Sequence, residues 1–195
     1  MDQIWVYNKG WVKYCYKGSS AANAQLKRYN ADGATADKKY LDLDVTTDVV
    51  SNGWSFLYYN KSNKAQTITL SGEVREFVAK PSYTIAKSGG QFIGYPWPVD
   101  FPISSITKYC TPTYHNSNFA YMDQAWVYDA GWKKYCYKGS SKTNAQWKRY
   151  NADGATAAEK YLDVDDSIDF VPAGQGFLYY NKNNKDMTIT FTFGD

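Results

Sequence analysis

Apolar and polar residues alternate with a period of two along most of this chain, which is the spacing of half-buried β-strands. In 3–7, Ile4 and Val6 alternate with Gln3, Trp5 and Tyr7; in 66–70, Ile68 and Leu70 alternate with Gln66, Thr67 and Thr69. In 187–193, Ile189, Phe191 and Phe193 face one way and Thr188, Thr190 and Thr192 the other, a Thr row that suits a solvated sheet face. Phe56 to Tyr59 and Phe177 to Tyr180 are apolar on both faces, which predicts central strands covered on each side. The polar runs 60–64 and 181–185 then read as hairpin loops leading to a last strand. Asn30-Ala31-Asp32-Gly33 is a turn with a glycine at its end, and Ala34 to Leu41 is too poor in β-branched residues for a strand, so one or two helical turns are expected there. The fold class that follows is mainly β, a sandwich or barrel-like body with a short helix or helical turn per repeated copy.

The body is built from an internal duplication. Residues 1–74 match 122–195 without a gap, at a constant offset of 121, with about two-thirds of the positions identical. Met1-Asp2-Gln3-Ile4-Trp5-Val6-Tyr7 returns as Met122-Asp123-Gln124-Ala125-Trp126-Val127-Tyr128, and Lys27 to Ala36 returns unchanged as Lys148 to Ala157. A gapless match demands equal strand lengths and turns in both copies. The chain therefore divides into copy A (1–74), a connecting β segment B (75–121) and copy A′ (122–195).

Segment B has no partner elsewhere in the chain. Phe77-Val78, Tyr83-Thr84-Ile85 and Gln91-Phe92-Ile93 read as short strands, and Gly94-Tyr95-Pro96-Trp97-Pro98 as a rigid turn that presents Trp97 at a defined angle. Residues 109–118 read as an open loop, and Phe119-Ala120-Tyr121 as strand running into Met122. Met1 thus aligns with a position in mid-repeat. A complete unit is expected to be a B followed by an A, which leaves copy A without a B of its own.

Composition narrows the chemistry. Lys plus Arg number 22 against 19 Asp plus Glu, a net charge of +3, too little for strong nucleic-acid or membrane steering. The basic pairs Lys27-Arg28 and Lys148-Arg149 do not change that reading, and no nucleic-acid partner is expected. No apolar run is long enough for a transmembrane helix. With 3 Cys and 1 His, a Cys/His zinc cage is excluded, and no cofactor is expected.

His115 is the only imidazole, it lies in the loop-like stretch, and no Gly-x-Ser-x-Gly elbow is near it, so no enzyme activity and no catalytic residue is expected. Asp42 and Asp44, with their counterparts Asp163 and Asp165, could offer hard oxygens to Ca²⁺, against the plainer reading of solvated acidic turns. Cys15 and Cys136 are a matched pair, read as buried thiols or else as a bridge; Cys110, in a loop, is the candidate for an intermolecular disulfide.

The aromatic surplus, 18% of residues with 7 Trp and 19 Tyr, carries the binding expectation. Tyr14 and Tyr16 share one strand face and Trp11 and Cys15 the other, so aromatic rings are expected on the outside of the sheet. Trp5, Trp11, Tyr14, Tyr16 and Trp97, with Trp126, Trp132, Tyr135, Tyr137 and Trp147 (in place of Leu26), are candidates for an interface or for glycan stacking.

Three motifs resemble a family of extracellular β-domains repeated in surface and secreted proteins of Bacteroidetes and Verrucomicrobia. Gly94-Tyr95-Pro96-Trp97-Pro98 is similar to that family's Gly-Asn-Pro-Tyr-Pro turn, Ala125-Trp126-Val127-Tyr128-Asp129 to its Ile-x-Val-Trp-Asp strand, and Val171-Pro172-Ala173-Gly174-Gln175-Gly176-Phe177 to its Pro-x-Gln-Gly-Phe strand. Leu70-Ser71-Gly72-Glu73-Val74 also fits. Copy A departs from the pattern, with Ser51-Asn52-Gly53-Trp54 and no preceding proline turn. The resemblance implies a non-catalytic module outside the cell or on its surface. Taken together, the expected function is structural: a subunit that assembles with copies of itself, head to tail, into a fibre or layer through edge strands and Tyr/Trp patches. The alternative is a lectin-like module that binds glycans.

Overall fold

A computed structural model describes residues 1–7, 11–50, 55–62, 64–65 and 80–192. The chain forms two compact units, Met1–Glu76 and Phe77–Asp195. The first therefore contains copy A with the first two residues of B, and the second contains the rest of B together with A′.

The first unit is a five-stranded antiparallel sheet. Its strands are β1 (Gln3–Tyr7), β2 (Trp11–Lys17), β3 (Gln25–Tyr29), β4 (Tyr40–Leu41) and β5 (Phe56–Tyr59), in the order β4-β3-β2-β1-β5. A one-turn helix, α1 (Ala36–Lys39), precedes β4 as the Ala/Lys composition predicts. The turn before it is closed by Gly33, whose Cα lies so near the α1 backbone that a Cβ would sit 2.4 Å from the Lys38 carbonyl oxygen. Only glycine fits there.

In the second unit, β6 (Ser82–Ile85), β7 (Gly90–Gly94) and β8 (Phe101–Pro102) come from B. A′ supplies β9 (Gln124–Tyr128), β10 (Trp132–Lys138), β11 (Gln146–Tyr150), the helix α2 (Ala157–Lys160), β12 (Tyr161–Asp163), β13 (Phe170–Val171), β14 (Gly176–Tyr180) and β15 (Met187–Thr190). The six-stranded sheet runs β12-β11-β10-β9-β14-β7, and β13-β8 and β15-β6 form two further pairs. The pairings of A recur in A′ at the same offset of 121: Gln3 opposite Cys15 becomes Gln124 opposite Cys136, and Tyr14 opposite Arg28 becomes Tyr135 opposite Arg149.

Registers fix which side chains are buried. Ile93, Phe177, Tyr179, Ala125, Tyr135 and Trp147 fall on one face of the large sheet, and all six are buried. Phe101 of β8 packs on Phe177, and Tyr95, Phe101 and Tyr109 surround Phe191. The result is a mainly β, sandwich-like body. Burying the large aromatic side chains contributes about 1.5–3 kcal/mol each, which makes this face the main source of the unit's stability.

Several expectations are corrected by pairing. The loop 181–185 does not make a hairpin with β14: β15 leaves the large sheet and pairs with β6 instead, with Ile189 opposite Tyr83. Phe119–Tyr121 is a 3-10 turn rather than strand, begun by the Asn118 side chain accepting from the Ala120 N–H. Residues 109–118 are pinned rather than open, since Thr113 and Asp123 exchange backbone and side-chain hydrogen bonds. The strand pair Phe177 to Tyr180 is central, between β9 and β7. Its counterpart β5 is at the sheet edge among the described residues, and its four side chains are only half-buried. The expected strands at 66–70 and Phe77-Val78, the segments Leu70–Val74 and Ser51–Trp54, and Phe193 lie outside the described residues.

Candidate functional site

The candidate aromatic residues separate into two sets by strand parity. Tyr14, Tyr135 and Trp147 lie on core faces and are buried, so they offer no surface to a ligand or partner. Tyr135 donates to Asp169 at 3.0 Å, and Asp169 also receives Arg149 at 3.1 Å. Burial and the adjoining Asp169 carboxylate remove the Tyr135 phenol from ordinary titration, while burial, with the Asp48 contact, raises that of Tyr14 to about 12. The aromatic surplus looked like surface because sequence periodicity cannot say which face meets the second layer. Tyr16, on the same face as Tyr14, is 51% exposed, and Tyr137 is half-buried against Trp147. Trp97 buttresses Tyr95 and Phe191 rather than projecting alone.

The opposite face carries the second set, in duplicate. Trp5 meets Trp11 edge-on at 5.6 Å and Tyr59 at 5.0 Å; Trp126 meets Trp132 at 6.0 Å and Tyr180 at 5.2 Å. The Trp5 and Trp126 ring nitrogens donate to Gln3 and Gln124. Lysines lie over these rings at matched positions: Lys13 on Trp5 at 4.0 Å and Lys134 on Trp126 at 4.3 Å, Lys61 on Tyr59 and Lys182 on Tyr180, Lys17 on Tyr40 and Lys138 on Tyr161. Each such pair is worth about 0.5–1 kcal/mol at an exposed site. A lysine over the tryptophan face occupies the surface on which a sugar ring would stack. Trp11, 41% exposed, is the candidate ring most open to solvent in this set.

The two copies differ in what covers this face. In the second unit, the Phe119 ring stacks on Tyr150 at 3.9 Å between centroids, and Met122 is fully buried. In the first, Gln3, Trp5, Lys13, Cys15, Tyr29 and Tyr40 line a concavity of about 350 Å³, and Met1 is 55% exposed. The same asymmetry holds at the sheet edge, where β7 pairs with β14 over five residues while the outer side of β5 meets no strand among the described residues. Tyr29, Tyr40, Tyr150 and Phe119, which mark the difference among the described residues, were not among the sequence-predicted site residues. For the three tyrosines the signal is the Arg-Tyr-Asn and Lys-Tyr-Leu steps that both copies share; Phe119, outside the repeat, has no such signal.

A further difference follows from Trp147 replacing Leu26. Beside Trp147, the residues Ser104, Thr107, Tyr137, Gln146 and Asp163 border a second concavity of about 360 Å³, and the Trp147 ring nitrogen has no hydrogen-bond partner among the described residues.

The acidic candidates are explained locally. Asp42 pairs with Lys27 and Asp163 with Lys148, while Asp44 and Asp165 accept from the backbone and hydroxyls of Thr46 and Ser167, which holds both carboxyls below their usual range. No group of three or more metal-ligating side chains is present among the described residues. The three cysteines are free thiols. Cys110 is half-buried with its thiol directed at the Ile106 carbonyl, and burial pushes it to about 12. His115 accepts backbone N–H groups from Ser117 and Asn118, a turn-forming use of its ring.

Among the described residues no helix is long and apolar enough to cross a membrane. No family model, no curated protein and no solved structure matches the chain.

Proposed function

We propose that this chain is a non-enzymatic structural subunit that joins to copies of itself head to tail, the outer edge of β5 in one copy pairing with the outer edge of β7 in the next. The observation that carries the reading is the unequal completion of two near-identical sheets. One has a B strand beside β14, and the other presents its equivalent strand β5 at an edge among the described residues. Among the described residues each chain offers one edge of each kind, β5 in the first unit and β7 in the second, so the joint is heterologous and can propagate. Unpaired edge amides and carbonyls are the natural driving groups for such an addition. The resemblance to repeated surface domains adds an extracellular or cell-surface setting to the proposal.

Electron microscopy and light scattering of the purified chain at tens of micromolar test it. Fibres or layers are expected, with the outward amides of Phe56–Tyr59 protected from hydrogen exchange in the particles and exposed on dilution. A monomer at all concentrations, or particles with unprotected β5 amides, overturns it. A glycan-binding role ranks second, because lysines cover the Trp5 and Trp126 faces. It would show as a tryptophan fluorescence change on a polysaccharide panel that Trp11→Ala abolishes.

A further inference from the structure

In the second unit four aromatic rings form a row on the face of the large sheet opposite Tyr135 and Trp147. Tyr128 meets Trp132 at 5.3 Å, Trp132 meets Trp126 at 6.0 Å, and Trp126 meets Tyr180 at 5.2 Å. Strand register brings them together: Trp132 on β10 stands opposite Tyr128 on β9, and β14 carries Tyr180 along the other side of β9. Tyr128 is exposed and the other three are half-buried. The segment 113–121 is seated on Asp123, Gln124, Gly139, Tyr150 and Tyr161, toward the β11–β12 side of the face. The row is thus presented by the unit that has its preceding segment in place.

Two lysines lie over this row, Lys134 over Trp126 at 4.3 Å and Lys182 over Tyr180 at 5.2 Å. Among the described residues neither has a carboxylate within ion-pair distance, and the carboxylates of the adjoining turn and strand are taken, Asp129 by Lys133 and Asp163 by Lys148. Each ammonium therefore keeps N–H donors for an anion while its ring contact holds it in place. That decides between ligand classes. A neutral sugar must displace the lysine to reach the ring, which forfeits about 0.5–1 kcal/mol at each position. A sugar bearing a carboxylate or sulfate takes the lysine where it stands and gains a charge-assisted hydrogen bond. A nucleic-acid strand needs open ring faces for successive bases. Here neighbouring rings cross at 75°, 65° and 62°, and ammonium groups lie over Trp126 and Tyr180.

We infer that the row Tyr128, Trp132, Trp126 and Tyr180 binds an acidic polysaccharide, a chain of sugars carrying carboxylates or sulfates. Lys134 and Lys182 pair with the acidic groups, and the aromatic edges bear the C–H surfaces of the sugars between them. The inference deepens the glycan reading, on which it rests, and is independent of the strand-edge joint. The first unit repeats the arrangement in Trp11, Trp5 and Tyr59 with Lys13 and Lys61, so one chain offers two sites of the same chemistry.

The test titrates a dye-labelled oligogalacturonate and a dye-labelled dextran sulfate into the full chain by fluorescence anisotropy, at dilutions where light scattering shows monomer. Fully methyl-esterified oligogalacturonate, plain dextran and oligothymidylate are the comparisons. Saturable binding of an acidic glycan is expected, weakening as salt rises, with none of either neutral form. Lys134→Gln with Lys182→Gln, made in a chain that already carries Lys13→Gln and Lys61→Gln, weakens it about tenfold, the combined weight of two exposed ion pairs. Lys142→Gln removes the same charge from the exposed turn between β10 and β11 and leaves binding unchanged. Acetylation footprinting of the unaltered chain gives a second readout, in which bound glycan protects Lys134 and Lys182 but not Lys142. Absence of acidic-glycan binding, equal binding of the neutral forms, equal loss through Lys142→Gln, or tighter binding of oligothymidylate overturns the inference. Glycan binding that Trp11→Ala abolishes but that shows no preference for the acids keeps the glycan reading and sinks the acidic class alone.

Discussion

The paired phenols Tyr179 and Tyr58 allow one interaction to be weighed in two environments of a single molecule. Tyr179 donates to Asp123 at 2.8 Å, and the same carboxylate receives the Thr113 and Lys182 N–H groups at 2.9 and 2.6 Å. Both residues are fully buried. Tyr58 makes the same bond to Asp2 at 2.7 Å, with Lys61 N–H at 2.9 Å, in a half-exposed setting. Tyr179→Phe leaves a buried carboxylate short of one donor and is expected to cost about 2–3 kcal/mol. That corresponds to a fall on the order of 10 °C in the melting temperature of the second unit. Tyr58→Phe lets water replace the lost donor, so the first unit's transition moves by only a small fraction of that. Burial pushes the Asp123 carboxyl above its usual range, against the pull of its three donors. Raised folded pKa means that the ionised form is the disfavoured one, and that stability is lost as pH rises through it. Deleting a donor to the ionised form raises it further, so the Tyr179→Phe penalty grows from pH 4 to pH 8. Calorimetry of both variants at the two pH values measures this. Equal shifts for the two substitutions, or a Tyr179→Phe penalty that shrinks with pH, would refute the burial argument.

Asp2 titrates the other way: hydrogen bonds from Tyr58 and the Lys61 N–H hold it below the usual carboxylate range, so its stabilisation is present above the ordinary aspartate pKa and is lost as pH falls through the lowered value. NMR titration should find that low pKa, and should find it raised in Tyr58→Phe. Arg149→Ala strands the buried Asp169 and is expected to cost about 3–5 kcal/mol in urea unfolding, well above the effect of Arg28→Ala, whose approach to Asp48 is longer at 3.6 Å. Gly154→Ala forces a Cβ to within 2.5 Å of the Glu159 backbone and should destabilise by about 1–3 kcal/mol, measured the same way. Cys110 and Cys136, both pushed to about 12 by burial, should resist a thiol reagent at pH 8 in the native chain and react once it is unfolded in guanidinium; prompt native reaction of Cys110 would show that its thiol is accessible for a bridge.

Much of the architecture was legible because it depends on local periodicity. Alternation placed β1 and β15, the Ala/Lys stretch placed α1, and the gapless repeat carried β1 and α1 over to β9 and α2 and required matched registers, which the pairings of Gln3 with Cys15 and Gln124 with Cys136 display. The candidate site was legible only in part. Trp5, Trp11, Trp126 and Trp132 were identified by type and do form a surface array, whereas Tyr14, Tyr135 and Trp147, equally aromatic, are core.

The sequence by itself determined the strand content and the self-similarity of 1–74 and 122–195, because side-chain alternation and repetition are read directly along the chain. Tertiary structure alone decided which face of each strand is buried, that β15 deserts β14 for β6, and that a turn at 117–121 covers Tyr150 and Tyr161. Those outcomes depend on pairings between residues far apart in the chain. Alternation specifies that two faces differ, and only the packing of a second layer specifies which of them meets water.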